Sequence, residues 1–230
     1  MSFSVALVGP DGSGKTTVAR KVLASFPAPI KYLYMGTAIQ SANVSLATSR
    51  LLLRLKRRAY DKAVREGRHE APPDRSPHNV EFEKVQRSTM ARELALINLI
   101  VEEWYRQLVS RIYRLRGFVV LCDRHFVFEY MPDSRTFHTV RPRFSLRVHL
   151  WIMRHVYPRP DLTIFLDAPA EVLFERKGEW SLDHLRRHRE GLLAQGARTR
   201  NFVVVDATRS IDEVTADVLG RLLSFGQERA

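Results

Sequence analysis

Near the start of the chain, Gly9-Pro10-Asp11-Gly12-Ser13-Gly14-Lys15-Thr16 combines spaced glycines with a lysine and a hydroxyl. Glycines let neighbouring backbone NH groups converge on one point, the ammonium adds a full charge, and the hydroxyl can ligate a hard cation. Together these hold the β and γ phosphates of a nucleoside triphosphate with its magnesium ion. Gly9, Asp11, Gly12, Ser13, Gly14, Lys15, Thr16 and Thr17 are therefore the candidate triphosphate-binding residues, with ATP and Mg2+ as expected cofactors. A second acid belongs to the same chemistry. Asp123 ends the apolar run Phe118-Val119-Val120-Leu121-Cys122, where a P-loop protein places the carboxylate that holds magnesium directly or through water. Thr16 and Asp123 are the candidate metal residues.

These groups need a strand before the loop and a helix after it. Phe3–Val8 is a short apolar run ended by glycine, and Val18–Phe26 continues at helical spacing until Pro27 stops it. Lys31–Met35 reads as a second strand, Val44–Glu66 as a basic helix, and Gly67–Pro77 as a proline-rich break. A long helical pattern resumes near Val80, runs through Leu94, Ile97, Val101, Trp104, Leu108 and Ile112, and ends at Gly117. Phe118–Asp123, Leu162–Asp167 and Phe202–Asp206 are continuous apolar runs closed by an acid, the form of parallel strands buried on both faces. Helical stretches separate or follow them at 146–156, 170–177, 181–194 and 211–223. Alternating strands and helices predict an α/β fold, a parallel sheet with helices on both faces. Asp167, just before a helix start, reads as a capping residue.

The 230 residues fit one domain spanning 1–230, and no apolar run approaches the roughly 20 residues that cross a bilayer. The N-terminus does not read as a signal peptide, and a single Cys122 within an apolar run suits a reducing cytoplasm and a core position. A net charge of +12 attracts anions: nucleotides, nucleic acid, phosphorylated intermediates or an acidic membrane face. A nucleic-acid role has no reader motif to support it. The charge concentrates in Arg50, Arg54, Lys56, Arg57, Arg58, Lys62, Arg65 and Arg68, and again in Arg186, Arg187 and Arg189. His184 and His188, four apart on a helix, read as a solvated face.

Taken together, Gly9–Thr17, Asp123-Arg124, Leu166-Asp167-Ala168-Pro169-Ala170-Glu171-Val172 leading to Arg176, and Asp206-Ala207 resemble the thymidylate kinase family in order and spacing. The resemblance implies a three-layer P-loop fold with a five-stranded parallel sheet in the nucleoside-monophosphate-kinase arrangement, and commonly a homodimer. It implies phosphoryl transfer from ATP to a small-molecule phosphate acceptor, a nucleoside monophosphate, thymidylate first. By the same resemblance Asp11 faces the acceptor's sugar hydroxyl, Arg124 clamps the acceptor phosphate, and Asp206-Ala207 contact adenine. The loop has no cation besides Lys15, so the family's mobile lid supplies one. That lid corresponds to residues 176–190, with Arg176 against adenine or the phosphates and Arg186, Arg187 or Arg189 closing. Lys15, Asp123, Arg124 and Arg176 are the candidate catalytic residues.

The likeness is thin from Gly36 to His78, where a basic helical insertion spans about 40–78. Tyr34-Met35-Gly36-Thr37 stands in place of the family's Arg-Glu-Pro-Gly-Gly run, and Glu102-Glu103 in place of a helix arginine, with Arg106 one turn further on. Both departures touch the acceptor side. They leave open a sugar, glycan or nucleoside acceptor, and also a P-loop ATPase or switch. His125-Phe126-Val127-Phe128-Glu129-Tyr130 reads either as an aromatic acceptor pocket or as core. The basic helix reads either as a solvated insertion or as a binder of an anionic acceptor or membrane headgroups.

Overall fold

The structure, a computed structural model, describes residues 2–66, 89–129, 144–178 and 180–229. The proline-rich break, the start of the long helix before residue 89, Tyr130 and Glu179 lie outside the described residues. Strands β1 (Ser4–Val8), β2 (Ile30–Tyr34), β3 (Val119–Asp123), β4 (Leu162–Asp167) and β5 (Phe202–Asp206) form one sheet in the order β2-β3-β1-β4-β5. Every neighbouring pair is parallel. The helices are α1 (Lys15–Ser25), α2 (Ala47–Arg65), α3 (Thr89–Leu115), α4 (Phe126–Glu129), α5 (Phe144–His155), α6 (Ala170–Lys177), α7 (Leu182–Gly196) and α8 (Ile211–Gln227).

All residues of β1 and β3 are buried, which is why these strands read as unbroken apolar runs. Alternate residues serve opposite faces. Val5, Leu7, Leu121 and Ile164 pack against Val18 and Val22 of α1 and Val218 and Leu222 of α8. Ala6, Val8, Val120 and Phe165 point the other way, onto Phe126, Met153, Tyr157 and Leu192. The result is three layers, and each fully buried Leu, Ile or Phe contributes about 1.5–3 kcal/mol. Phe126, Val127 and Phe128 are buried in the second layer, and Phe128 with His125 and Glu129 also lines a space shared with Lys15. Cys122 is a buried free thiol, and burial together with the neighbouring Asp123 charge pushes it up to about 12.

Parallel pairing brings the acid-tipped strand ends to one edge. Asp123 lies beside Leu7 on one side and Tyr34 on the other, and Asp167 lies beside Asp206. The central β1 ends between β3 and β4, where an open α/β sheet gathers its ligands.

Helix α3 turns its polar residues inward. Glu102, Glu103, Arg106 and Ser110 are buried, whereas Leu94, Ile97, Val101, Trp104, Leu108 and Ile112 are exposed. The apolar series that defines this helix in the sequence is its outer face. Among the described residues no helix is long and apolar enough to cross a membrane.

Candidate functional site

The loop from Gly9 to Gly14 joins β1 to α1 and wraps its own lysine. Gly12 sits at φ +88, and a Cβ there would meet the Leu173 carbonyl oxygen at 2.9 Å, so both the conformation and the space require glycine. Lys15 is buried, and its Nζ donates to the carbonyls of Gly9 at 2.8 Å and Pro10 at 2.7 Å. Burial, reinforced by Arg124, lowers this ammonium to about 8. A phosphate in the loop would offer it a better partner than two neutral carbonyls.

Thr16, the first-turn residue after Lys15, donates from Oγ1 to Asp123 Oδ2 at 2.7 Å. Tyr32 on β2 donates to the same oxygen at 2.9 Å. The other oxygen, Asp123 Oδ1, is buried and has no hydrogen-bond partner among the described residues. A buried orphan carboxylate oxygen next to a threonine hydroxyl is the donor set that magnesium uses when substrate phosphates and water complete its shell. Among the described residues no group of three His, Cys, Asp or Glu side chains could hold a metal alone. The protein groups thus fit an ion brought with a nucleotide.

Arg124 follows directly, with φ 69, a left-handed conformation for a residue carrying a side chain. Its NH donates to the Leu7 carbonyl at 3.0 Å, and its side chain turns back over the loop. Nη2 donates to Asp11 Oδ1 at 2.7 Å and Nη1 to Glu129 Oε1 at 3.1 Å. Burial by itself would raise the Asp11 carboxyl, but the Arg124 and Lys15 charges hold it well below the usual carboxylate range. Trp180 Nε1 donates to Asp11 Oδ2 at 3.3 Å, and its ring stacks on His184 with centroids 4.5 Å apart. Val8, Gly9, Lys15, Arg124, Glu129 and His188 line one common space. Burial lowers the His188 imidazole.

Beyond Arg124, β2 leads into Gly36, where an added Cβ would meet Tyr34 Oη at 2.6 Å and Arg124 Cδ at 2.7 Å. Gly36 therefore keeps room for the Arg124 stem. The carbonyl of Gly36 accepts from Arg106 Nη1 at 2.8 Å. Arg106 is held in turn by Glu102 Oε1, at 2.9 Å from Nε and 2.8 Å from Nη2, both side chains being 1% exposed. Glu102 Oε2 accepts from the Leu46 NH at 3.0 Å, just ahead of α2. The charge of Arg106 is thus met within the fold.

In the expected lid, two arginines are held in ion pairs and a third by a backbone carbonyl. Arg176 Nη1 donates to the Ala207 carbonyl at 2.9 Å, which fixes the loop after β5 and joins Arg176 to the expected adenine contact. Asp206 Oδ1 accepts from the Thr208 NH at 2.9 Å and the Thr208 hydroxyl at 2.6 Å, shaping that same loop. Arg189 makes a two-pronged pair with Asp167, 2.6 Å from Nε and 2.8 Å from Nη2. This corrects the capping role expected of Asp167: the residue ahead of α6 is Pro169, and no side chain caps that helix. Arg186 pairs with Glu171, and Arg187 is half-buried.

The candidate residues of the loop, Asp123 and Arg124 come together as one cluster, whereas Arg176, Asp206 and Ala207 form a second group along the same sheet edge. Tyr32 has no expected role in the sequence, and Glu129, Trp180 and His188 enter it only as members of the aromatic run, the lid and a solvated helix face. The solvated reading of His188 is corrected, since it lines the space beside Lys15 and Arg124. Its only sequence signal is the phase it shares with Leu185 and Leu192, two of the buried positions of α7. Tyr32 has none: strand pairing, in register with Leu121 two residues before Asp123, brings it to the site. Neither a scan against protein-family models nor a search of the curated proteins finds a match for this chain.

Proposed function

We propose that this chain is a P-loop kinase that transfers the γ-phosphoryl group of ATP, with magnesium, to a small acceptor. The observation that carries the reading is the contact of Thr16 with Asp123 beside the buried Lys15, at the end of the central strand. Thr16 and Asp123 would hold magnesium, which when bound neutralises charge on the triphosphate. Lys15 would exchange the Gly9 and Pro10 carbonyls for phosphate oxygens, and the start of α1 would add its positive end. Arg124, reaching over the loop from the tip of β3, would lie between donor and acceptor. With no covalent protein intermediate required, the rate would come from positioning and from charge placed around the transferring group. The resemblance to thymidylate kinases supports a nucleoside monophosphate, thymidylate-like, as the acceptor.

One observation favours a second acceptor class. Arg106 is committed to Glu102 and the Gly36 carbonyl, and Arg124 carries two carboxylates, Asp11 and Glu129. An acceptor end whose arginines are already neutralised suits an uncharged hydroxyl compound, a sugar, glycan or nucleoside. ADP release from ATP and magnesium, measured alone and with monophosphates, nucleosides and sugars, separates the readings. Stimulation by thymidylate supports the first, stimulation only by uncharged hydroxyl compounds supports the second, and full acceptor-free hydrolysis would mark an ATPase and sink both.

A further inference from the structure

Helix α2 exposes two kinds of residue. Leu51, Leu52 and Leu55 are 56%, 42% and 51% exposed, and Arg50, Arg54, Arg57 and Arg58 around them are exposed too. Its opposite side, with Ser49, Leu53, Tyr60 and Val64, is buried or half-buried. Two bonds fix the neighbour on that side: the Leu46 NH to Glu102 Oε2 at 3.0 Å, and Asn98 Nδ2 to Ser49 Oγ at 3.0 Å. Helix α2 thus lies along the N-terminal half of α3, whose outward Met90, Leu94 and Ile97 are each more than half exposed. Both adjoining helices thus expose apolar side chains, and on α2 the exposed arginines flank the leucines.

Charge selects the occupant of this face. Along the described residues of α2, α3 and α5 the only exposed carboxylate is Asp61, with Glu66 exposed just past the end of α2 and paired to Lys62; the glutamates 102 and 103 are buried and Glu93 is half-buried. A second copy of the same face would set arginine against arginine, whereas an anionic bilayer neutralises the arginines and receives the leucines at its headgroup–acyl boundary. A helix with a pronounced apolar side, a strongly basic polar side and low overall hydrophobicity is the kind that lies in that boundary without spanning it. We propose that α2, with the adjoining outer face of α3, docks the protein onto an anionic lipid surface, with Leu51, Leu52 and Leu55 inserted and Arg50, Arg54, Arg57 and Arg58 on the lipid phosphates.

The test is co-sedimentation of the full chain with vesicles of phosphatidylcholine alone and with about one-third phosphatidylglycerol. Binding to the anionic vesicles should be at least about tenfold tighter and should fall steeply as salt shortens the screening length. Arg54→Gln and Arg57→Gln should each weaken it about fivefold. Leu51→Glu combined with Leu55→Glu should remove it while the circular dichroism spectrum stays unchanged, because both side chains are exposed. Three results would overturn the proposal. The anionic vesicles bring no gain in binding; or the leucine variant binds as tightly as the parent, which reduces the effect to adsorption by the net charge of +12. The third is a dimer in sedimentation velocity that Leu94→Glu dissociates and that leaves vesicles untouched, which assigns the face to a second copy.

Discussion

Arg124 Nη2 lies 2.7 Å from Asp11 Oδ1, so the tip of β3 is bolted to the loop from Gly9 to Gly14 by a pair with side chains 16% and 20% exposed. Removing the charge from Asp11 leaves Arg124 to Glu129 alone and lets it swing from the loop. Asp11→Asn is expected to lower kcat/KM by about tenfold to a hundredfold, since hydrogen bonds to charged groups are worth about 1.5–3 kcal/mol. Steady-state assay with the acceptor identified by ADP release checks this, and an unchanged kcat/KM would release Asp11 from the site.

Lys15 gives the site a pH signature. Its folded value, lowered from 10.5 to about 8, means that the unfolded chain binds the extra proton between those values, so this group makes stability rise with pH across that window. Lys15→Met should lose that rise in denaturation profiles. Phosphate in the loop favours the ammonium, so ATP binding near pH 8 to 9 should take up protons. Calorimetry in buffers of different ionisation heat should show uptake there, none near pH 6, and none in Lys15→Met.

For the metal, Asp123→Asn should raise the magnesium requirement at least about tenfold and lower kcat about a hundredfold. Tyr32→Phe removes only the hydrogen bond at 2.9 Å on the shared oxygen. It should cost about 1–2 kcal/mol in stability and leave kcat within about threefold. Equal kcat losses in the two variants would contradict the assignment of Asp123 to the ion.

Arg176 contacts a carbonyl of the loop after β5, so Arg176→Ala should act on nucleotide affinity. KM for ATP is expected to rise about tenfold with kcat nearly constant, given a lost charged hydrogen bond. A fall in kcat with KM unchanged would put Arg176 on the phosphates instead.

The pair of Glu102 and Arg106 is buried at 1% exposure on both sides, and truncating either partner strands a charge. Arg106→Ala should cost about 3–5 kcal/mol in chemical denaturation, whereas replacing both residues with methionine should cost much less. Equal losses for single and double variants would show that the pair is not the source.

The strands and their acid-tipped ends were legible because a strand buried on both faces must be apolar throughout, as Leu162–Asp167 is; Phe202–Asp206 has the same apolar form, but it is an edge strand with Val204 46% exposed, so the expectation of burial on both faces does not hold there. The loop was legible because its glycines and Lys15 are local in sequence. What was not legible depends on register and on which side of a helix faces inward. Periodicity reveals that α3 has an apolar stripe from Leu94 to Ile112, but nothing in the spacing says that this stripe faces out and that Glu102, Glu103 and Arg106 face in. Tyr32, Glu129, Trp180 and His188 reach the site only through tertiary pairing. Asp167 looked like a cap because its partner Arg189 lies 22 positions away, on a different helix.

Glu102 has two oxygens with two different employers: one holds Arg106 against Gly36, the other receives the Leu46 NH at the root of α2. A single carbon joins them, so the root of the basic helix and the Gly36 turn share one anchoring carboxylate. A force that tilts α2 must either leave the Glu102 carboxylate in place and break the bond to Leu46, or carry it along and unseat the guanidinium that positions the Gly36 carbonyl. The stiffness of that joint sets how far the outside of the molecule can shift before Arg124, packed against Gly36, feels it.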